Sequence, residues 1–586
     1  MTRNRAVFSA MAICVLPVSA FSQGMAHPHL HAETAVHKPI PAEAPKVSYA
    51  DYAAQAGLHF HHISGDSRQK NFLLESTGAG VAVIDFDNDG LPDLFFVNGS
   101  KWAFSSTETR PTSHLYRNLG NLKFKDVTST SGLNYGGWGQ GVCAGDYDND
   151  GWTDLLVTYY GHNILYHNDH NGHFTDVTEK AGLPVTGSRW GTGCSFVDYD
   201  RDGHLDIAIA NYLDFDPKTS LKPGEAAFCI FKGLPVACGP HGMKGSVNIL
   251  YKNQGNGTFR DVTRASGFDT PRGYSCFTVL SGDYDGDGWP DLFLACDSTP
   301  SILFRNNHDG TFTDIGVPSG TAFNADGEEQ GSMGADAADL RHTGRPDLLK
   351  TNFDDDIPTC YHNDSHGFFT DSTYSVGLAS QRHYVGWGAG FIDFDNDGWA
   401  DLIMTNGHVY PTVDTLGRES KFKQPNQLYW NSRDGNFADL SDSSGPGIST
   451  VNTGRGLAYA DLDNNGSLEV VINNLDARPT LLVNQIKYNS NWTTLKLVGS
   501  RSNRSAIGAR VTLAAGPLKQ TAEVRSGCCY LSQSDLRLHF GLAAASRIDV
   551  LEVLWPNGTV ERFPPPPVNG IVEVQEGTGV QDKEQK

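Results

Sequence analysis

Short apolar runs of strand length recur along this chain, separated by turn-forming residues at near-regular intervals. Leu94-Phe95-Phe96-Val97, Leu155-Leu156-Val157, Ile207-Ala208-Ile209 and Leu292-Phe293-Leu294 are too short for helices and predict buried strands. Each run follows an acidic stretch and precedes an L-Y-x-N element, such as Leu115-Tyr116-Arg117-Asn118 or Leu250-Tyr251-Lys252-Asn253. A glycine turn then leads into F-x-D-V-T, as in Phe124 to Thr128, Phe174 to Thr178 and Phe259 to Thr263. Each unit therefore offers about four strands joined by tight turns, which is what a propeller blade requires.

Counting the elements predicts the topology. The acidic element begins at Asp85, Asp146, Asp198, Asp283, Asp393 and Asp461, with an eroded copy from Asp339 to Asp347. L-Y-x-N recurs with it, down to the weak copy Leu481-Leu482-Val483-Asn484. The last acidic element lacks a following F-x-D-V-T, and a relative, Tyr49-Ala50-Asp51, stands ahead of the first. The register is thus circularly permuted, and the N-terminal strand can complete the last blade and remove the free edges. The expected fold is all-β: a seven-bladed β-propeller with calcium-binding hairpin loops over residues 47–488, then a small C-terminal antiparallel β-domain over 489–576 and a polar tail over 577–586.

The acidic element carries the chemistry. Its ligand positions are Asp85, Asp87, Asp89 and Asp93 in the first copy, then Asp146, Asp148, Asp150 and Asp154, then Asp198, Asp200, Asp202 and Asp206. Next come Asp283, Asp285, Asp287 and Asp291, then Asp393, Asp395, Asp397 and Asp401, and finally Asp461, Asp463, Asn465 and Glu469. Oxygen donors at positions 1, 3, 5 and 9 with Gly at 6 make a tight, hard-donor loop, and so many carboxylates repel unless a cation neutralises them. The set suits Ca²⁺, about six ions in all, better than Mg²⁺ or soft metals. An EF-hand would need a bidentate Glu at position 12, where Phe96 and Val157 stand inside apolar runs. The eroded copy has Arg341 and Thr343 in place of carboxylates and is expected to stay metal-free, with Arg341 as an internal cation.

Composition agrees with this picture and narrows the partners. The 586 residues exceed one ordinary core. A formal charge of −22 argues against nucleic acid and against an electrostatic grip on anionic membranes. Arg3, Arg5, the apolar stretch Ala6 to Val18 and the small residues Val18-Ser19-Ala20 predict a signal peptide over residues 1–20, hence a secreted or periplasmic protein. His27, His29 and His31 then fall in a Pro-containing linker over 21–46, and no membrane span is expected. Cys229 and Cys238 flank a Gly/Pro-containing loop and are read as a disulfide. Cys143, Cys194 and Cys276, in apolar strand contexts, are read as buried thiols; the state of Cys528 and Cys529 is left open.

The repeats resemble FG-GAP/VCBS-type propellers. Asn503 to Val511, Tyr530 to Asp535, Arg537 to Leu542 and Val553 to Gly558 look like an ASPIC/UnbV domain, so the whole resembles the bacterial relatives of cartilage acidic protein. The resemblance implies secreted calcium-binding proteins without a settled biochemical activity. Cys528-Cys529 departs from the small residues usual before Y-L-S-Q, which opens a redox role beside a buried or vicinal-disulfide structural one. Two insertions break the repeat, Tyr212 to Gly245 and the segment from Asn406 through Gln424. In the second, His408, Tyr410 and Asp414 are candidate ligand-binding residues. Trp138, Trp190 and Trp387, each ahead of a glycine pair, are expected as packing aromatics. The reading is a monomeric binding or adhesion module for a protein or glycan partner. The alternatives are a secreted propeller enzyme acting on carbohydrate, of lyase or dehydratase type, and a structural envelope component. No G-x-S-x-G, H-E-x-x-H or P-loop is present.

Overall fold

The computed structural model describes residues 39–379, 384–417 and 421–581. The expected signal peptide and most of the linker lie outside the described residues. The described residues form seven four-stranded antiparallel meanders arranged as a β-propeller, units 2 and 3 being joined into one sheet where Arg189 and Trp190 pair with Gly161 and Tyr160. Unit 1 comprises Val81–Ile84, Asp93–Phe96, His114–Asn118 and Phe124–Asp126. Units 2 to 6 repeat the pattern, with first strands Trp138–Gly145, Arg189–Val197, Cys276–Gly282, Ala335–Ala338 and Gly386–Ile392. Unit 7 takes Gly454–Ala460, Glu469–Asn474 and Thr480–Asn484, and Tyr49–Asp51 pairs antiparallel with the last of these, Ala50 opposite Val483. The permuted closure expected from the repeat count is therefore present. The first strands touch one another in order from unit 1 to unit 7 and back to unit 1.

Two asparagine ladders tie the units together, and they explain the repeated N of both motifs. In unit 1, Asn118 Nδ2 donates to the Leu462 carbonyl of unit 7 at 2.7 Å; Asn168 bonds back to Phe86, Asn253 to Tyr147 and Asn306 to Tyr199. The position-4 residues of the acidic loops form the second ladder. Asn88 donates to the Gly151 carbonyl, Asn149 to Gly203, Asn396 to Gly466 and Asn464 to Gly90, each within 3.0 Å. The loops thus occupy one face as a linked series.

The C-terminal domain sits on that face. It has a sheet of Leu538–Ala543, Asn491–Val498 and Gly570–Gln575, and a five-stranded sheet ending in Val580–Gln581. Two features differ from expectation. Asn491–Val498 pairs parallel with Gly570–Gln575, because the Pro564 to Pro567 crossover brings the last long strand back in the same direction. The second sheet also runs to Gln581, past residue 576, since Val580 pairs with Arg562. An apolar cluster is continuous from Phe196 and Ile207 of unit 3 to Ile507, Val511 and Trp555 of the C-terminal domain.

From this domain the segment 525–535 enters the propeller as a plug among the first strands. Gln533 exchanges bonds with unit 1, accepting from Val83 N–H at 2.8 Å and donating to the Val81 carbonyl at 2.9 Å. The Leu531 carbonyl accepts from Val142 of unit 2, the Cys529 carbonyl from Ala335 of unit 5, and Ser534 Oγ from Tyr459 N–H of unit 7. Glycines admit the plug. A Cβ on Gly80 would lie 2.2 Å from the Leu531 carbonyl oxygen, and one on Gly334 2.4 Å from that of Cys529. Tyr530 reaches through to a buried aromatic cluster on the far side, formed by Trp138, Trp190, Phe277 and Trp387 with Phe215 and Phe231 of the first insertion. The three tryptophans pack as expected.

The disulfides correct the cysteine reading. Cys229–Cys238 closes as expected, but Cys143 is bonded to Cys194 and Cys276 to Cys296. Pairing across neighbouring first strands, and across one hairpin, places these sulfurs together, and chain position alone does not reveal it. No helix among the described residues is long and apolar enough to cross a membrane.

Candidate metal centres

Each acidic loop is a turn between the first two strands of its unit, and the backbone organises its carboxylates. The position-6 glycines Gly90, Gly151, Gly203, Gly288, Gly398 and Gly466 all have φ between +85° and +94°, a conformation that penalises any other side chain. At position 1, Asp85 Oδ1 accepts from Asp89 N–H and Oδ2 from Gly90 N–H, both at 3.1 Å; Asp146, Asp393 and Asp461 are held in the same way. At position 9, Asp93 spans two strands, accepting from Phe86 N–H at 3.1 Å and from Asn118 N–H at 2.7 Å. Asp154, Asp206, Asp291 and Asp401 repeat this bridge. A carboxylate at positions 1 and 9 therefore has backbone N–H groups to satisfy even before a ligand is considered, and Glu469 does so in unit 7 by accepting from Leu462 N–H at 3.0 Å.

The position-3 carboxylates are different. Asp87 Oδ1, Asp200 Oδ1 and Asp463 Oδ1 are buried atoms without a hydrogen-bond partner, and so is Asp198 Oδ1 at position 1. Buried, unpaired carboxylate oxygens are costly unless a cation meets them. Oxygen atoms of Asp85, Asp87 and Asp93 converge within 4.8 Å of one another, as do those of Asp146, Asp148 and Asp150, and of Asp198, Asp200 and Asp206. Burial pushes these groups up, with neighbouring carboxylates adding to it. Asp93 rises to about 8, and Asp146, Asp154, Asp198 and Asp395 to about 7. Asp461 rises to about 6, and Asp206, Asp291, Asp401 and Glu469 also stand well above their usual range. The loop donors are hard oxygens and the clusters fit a divalent cation, while in unit 2 the ring nitrogens of His167 and His170 also converge with Asp150.

Basic side chains from the third strand reach into some of these loops, a feature the motif did not disclose. Arg117 Nε lies 2.7 Å from Asp87 and its Nη2 3.1 Å from Asp89. Lys252 bridges Asp200 and Asp202, and His167 Nδ1 lies 3.4 Å from both Asp148 and Asp154. These are the x residues of L-Y-x-N, alternately placed so that they face the loop. In units 6 and 7 the same position holds Trp430 and Val483. In the eroded loop, Asp339 keeps its turn bonds to Thr343 and Gly344 N–H, both at 2.7 Å. Asp347 there accepts from Asn363 N–H and meets His362 Nδ1, both at 2.8 Å, while the expected Arg341 acts on Asp347 through its charge.

The insertion residues lie elsewhere, on the opposite face. His408 and Tyr410 are fully buried beside Phe231 and Phe353, whereas Asp414 is exposed on the turn Pro411–Leu416 and accepts from Phe422 N–H at 2.9 Å. His408 Nδ1 accepts from Tyr410 N–H at 3.1 Å, so its Nε2 carries the proton in the neutral ring; Asp354 Oδ2 is 4.0 Å from that Nε2. Burial, with Lys232 and Arg455 nearby, lowers the His408 pKa to about 3. His408 Nε2, Tyr410 Oη and Asp354 Oδ1 are all buried and unpartnered.

A profile of the FG-GAP-like repeat matches residues 85–157, 146–209, 236–294, 283–350 and 413–472, and one of ASPIC and UnbV matches 499–581. Cartilage acidic protein 1 of Xenopus tropicalis is 24% identical over 488 residues, covering 73% of this chain and 71% of that protein. The Homo sapiens protein of the same name is 24% identical over 501 residues, covering 83% of this chain and 60% of its own length. Among solved structures, an Agrocybe aegerita lectin recognising non-reducing terminal N-acetylglucosamine aligns with TM-score 0.37 and 16% identity, over 69% of this chain and 87% of that one.

Proposed function

This chain belongs to the FG-GAP-repeat proteins that carry an ASPIC/UnbV domain, and from that premise we propose that it is an exported calcium-binding propeller serving as a binding or adhesion module for a protein or glycan partner. The single observation that carries the calcium part is the set of buried, unpartnered carboxylate oxygens in three of these loops, Asp87, Asp200 and Asp463 at position 3 and Asp198 at position 1. Ca²⁺ would be held by Asp85, Asp87, Asp89 and Asp93 in unit 1, and by the corresponding residues of units 2, 3, 4, 6 and 7. It supplies positive charge that keeps these carboxylates ionised in a buried setting. The chain's own residues do the rest: the glycine turns, the position-9 bridges and the two asparagine ladders set the loops rigidly against one another.

The module reading rests on how the surfaces are used. The C-terminal domain covers the loop face and the insertions cover the other, which leaves the outer rim for a partner. Val317 and Phe368 are the large apolar side chains most exposed there, at 64% and 58%, on the adjoining segments Gly316–Ser319 and Phe368–Asp371. The test is a glycan and peptide array probed with the calcium-loaded protein, the EDTA-treated protein and a V317D/F368D variant. A ligand that binds only the calcium-loaded wild type supports the reading; no ligand in any state counts against it. The orphaned polar atoms of His408, Tyr410 and Asp354 favour a second reading, an enzyme acting on carbohydrate once the 212–245 insertion lifts. Turnover of an array glycan that is lost in H408A would select it.

A further inference from the structure

Three cysteine pairs of the described chain are disulfides, whereas Cys528 and Cys529 stand side by side in the plug as thiols, their Sγ atoms 2.9 Å apart. The pair is not sealed on every side. Cys528 lines a cavity of about 200 Å³ between the propeller floor and the C-terminal domain, together with Asp336, Tyr459, Arg525 and Ser534. The Ser534 hydroxyl is 3.2 Å from Cys528 Sγ and 3.8 Å from Cys529 Sγ, so one polar group serves both sulfurs. Cys529 has φ +62° and Leu531 φ +52°, a region that non-glycine residues seldom enter and that clusters at functional sites. An apolar filler would meet none of these needs for a hydroxyl, a cavity and two adjacent sulfurs.

We propose that Cys528 and Cys529 form a redox-active dithiol that exchanges with a low-molecular-weight disulfide entering through this cavity. Cys528, as thiolate, attacks one sulfur of the small disulfide R–S–S–R; the Cys528–S–S–R bond forms, the R–S–S–R bond breaks and one R–S⁻ leaves. Cys529, whose thiol burial keeps protonated, then attacks Cys528 Sγ as it gives up its proton; the Cys528–Cys529 bond forms, the Cys528–S–R bond breaks and the second R–S⁻ leaves. The two protons lost by the cysteines go to the two leaving thiolates, giving two R–SH. The protein pair is oxidised by two electrons and the small disulfide is reduced by two. A small dithiol runs the exchange backwards. The Cys529 carbonyl accepts from Ala335 N–H, and Cys528 N–H donates to the Ser532 carbonyl. The exchange therefore acts where the plug is fastened to unit 5 and to itself, and couples its seating to the thiol–disulfide balance outside.

The test uses the full-length folded protein, incubated either with oxidised glutathione or with graded dithiothreitol, then quenched in acid, unfolded, alkylated and mapped by mass spectrometry. After oxidised glutathione, the peptide holding Cys528 and Cys529 should be unlabelled and lighter by two hydrogens. Dithiothreitol should reopen it at a concentration at least about tenfold below that needed for the other three disulfides. A C529S variant should retain glutathione on Cys528, since no second sulfur can expel it. Full labelling of both cysteines after oxidised glutathione overturns the proposal. So does reopening only together with the other disulfides, or a C529S protein that takes up no glutathione.

Discussion

If the plug joins the two domains, then cutting its far anchor should destabilise both at once. Tyr530 is fully buried, donates from Oη to the Thr77 carbonyl at 2.7 Å, and packs edge-on against Trp387 with centroids 4.9 Å apart. Tyr530→Phe removes the hydrogen bond and leaves the Thr77 carbonyl buried, a cost of about 1 to 3 kcal/mol. Tyr530→Ala also empties the aromatic site, and large-to-small aromatic truncation adds about 3 to 5 kcal/mol. The double step should therefore exceed the single one by roughly that aromatic amount. Calorimetry and guanidinium unfolding of the calcium-loaded wild type, Y530F and Y530A provide the assay. The expected result is one cooperative transition in the wild type and a graded loss in which propeller and C-terminal signals move together. If Y530A costs no more than Y530F, or if the C-terminal domain melts alone while the propeller transition stays put, the plug does not couple the domains and the reasoning is refuted.

Other consequences follow from the same geometry. Lys252→Met should tighten calcium at the Asp198 loop by severalfold, because an ammonium no longer bridges Asp200 and Asp202; site-resolved calcium titration with and without the substitution measures it. Gly334→Ala should abolish folding or lower the melting temperature sharply, since its Cβ would meet the backbone oxygens of Trp387 at 2.0 Å and Cys529 at 2.4 Å. A neutral effect would mean the plug can shift. In the metal-free protein, Asp93, Asp146, Asp154 and Asp198 have folded pKa values of about 7 to 8, above their unfolded values. Their contribution is full only below the unfolded value of 3.8 and is lost progressively as pH rises from there to about 8, so the EDTA-treated protein should melt lower at pH 8 than at pH 5. Saturating calcium should remove that loss; a metal-free melting temperature that rises with pH contradicts the assignment.

Much of the architecture could be read from the chain because it is written there repeatedly. The spacing of Asp85, Asp146, Asp198 and their copies repeats with the strands around them, so errors in one unit are corrected by the next. The spacing predicts position 9 as a ligand, and the structure gives Asp93 and its equivalents a further task, the bridge to L-Y-x-N. Features that occur once were harder. The C-C-Y-L-S-Q stretch has no apolar period that announces a plug, and only the facing glycines Gly80 and Gly334 show how closely it is admitted. The Cys143–Cys194 and Cys276–Cys296 bonds depend on strand register across and within units, which apolar context alone does not reveal. His408 and Tyr410 looked like loop residues because their insertion breaks the repeat. They are instead buried beneath the other insertion, while Asp414 stays outside.

The most direct test of the central claim is the calcium content of the purified protein, measured with its melting temperature before and after EDTA. The account predicts about six bound ions, distributed over the loops at Asp85, Asp146, Asp198, Asp283, Asp393 and Asp461, and a large fall in melting temperature on chelation that added calcium reverses. No bound calcium and an unchanged melting temperature would contradict it.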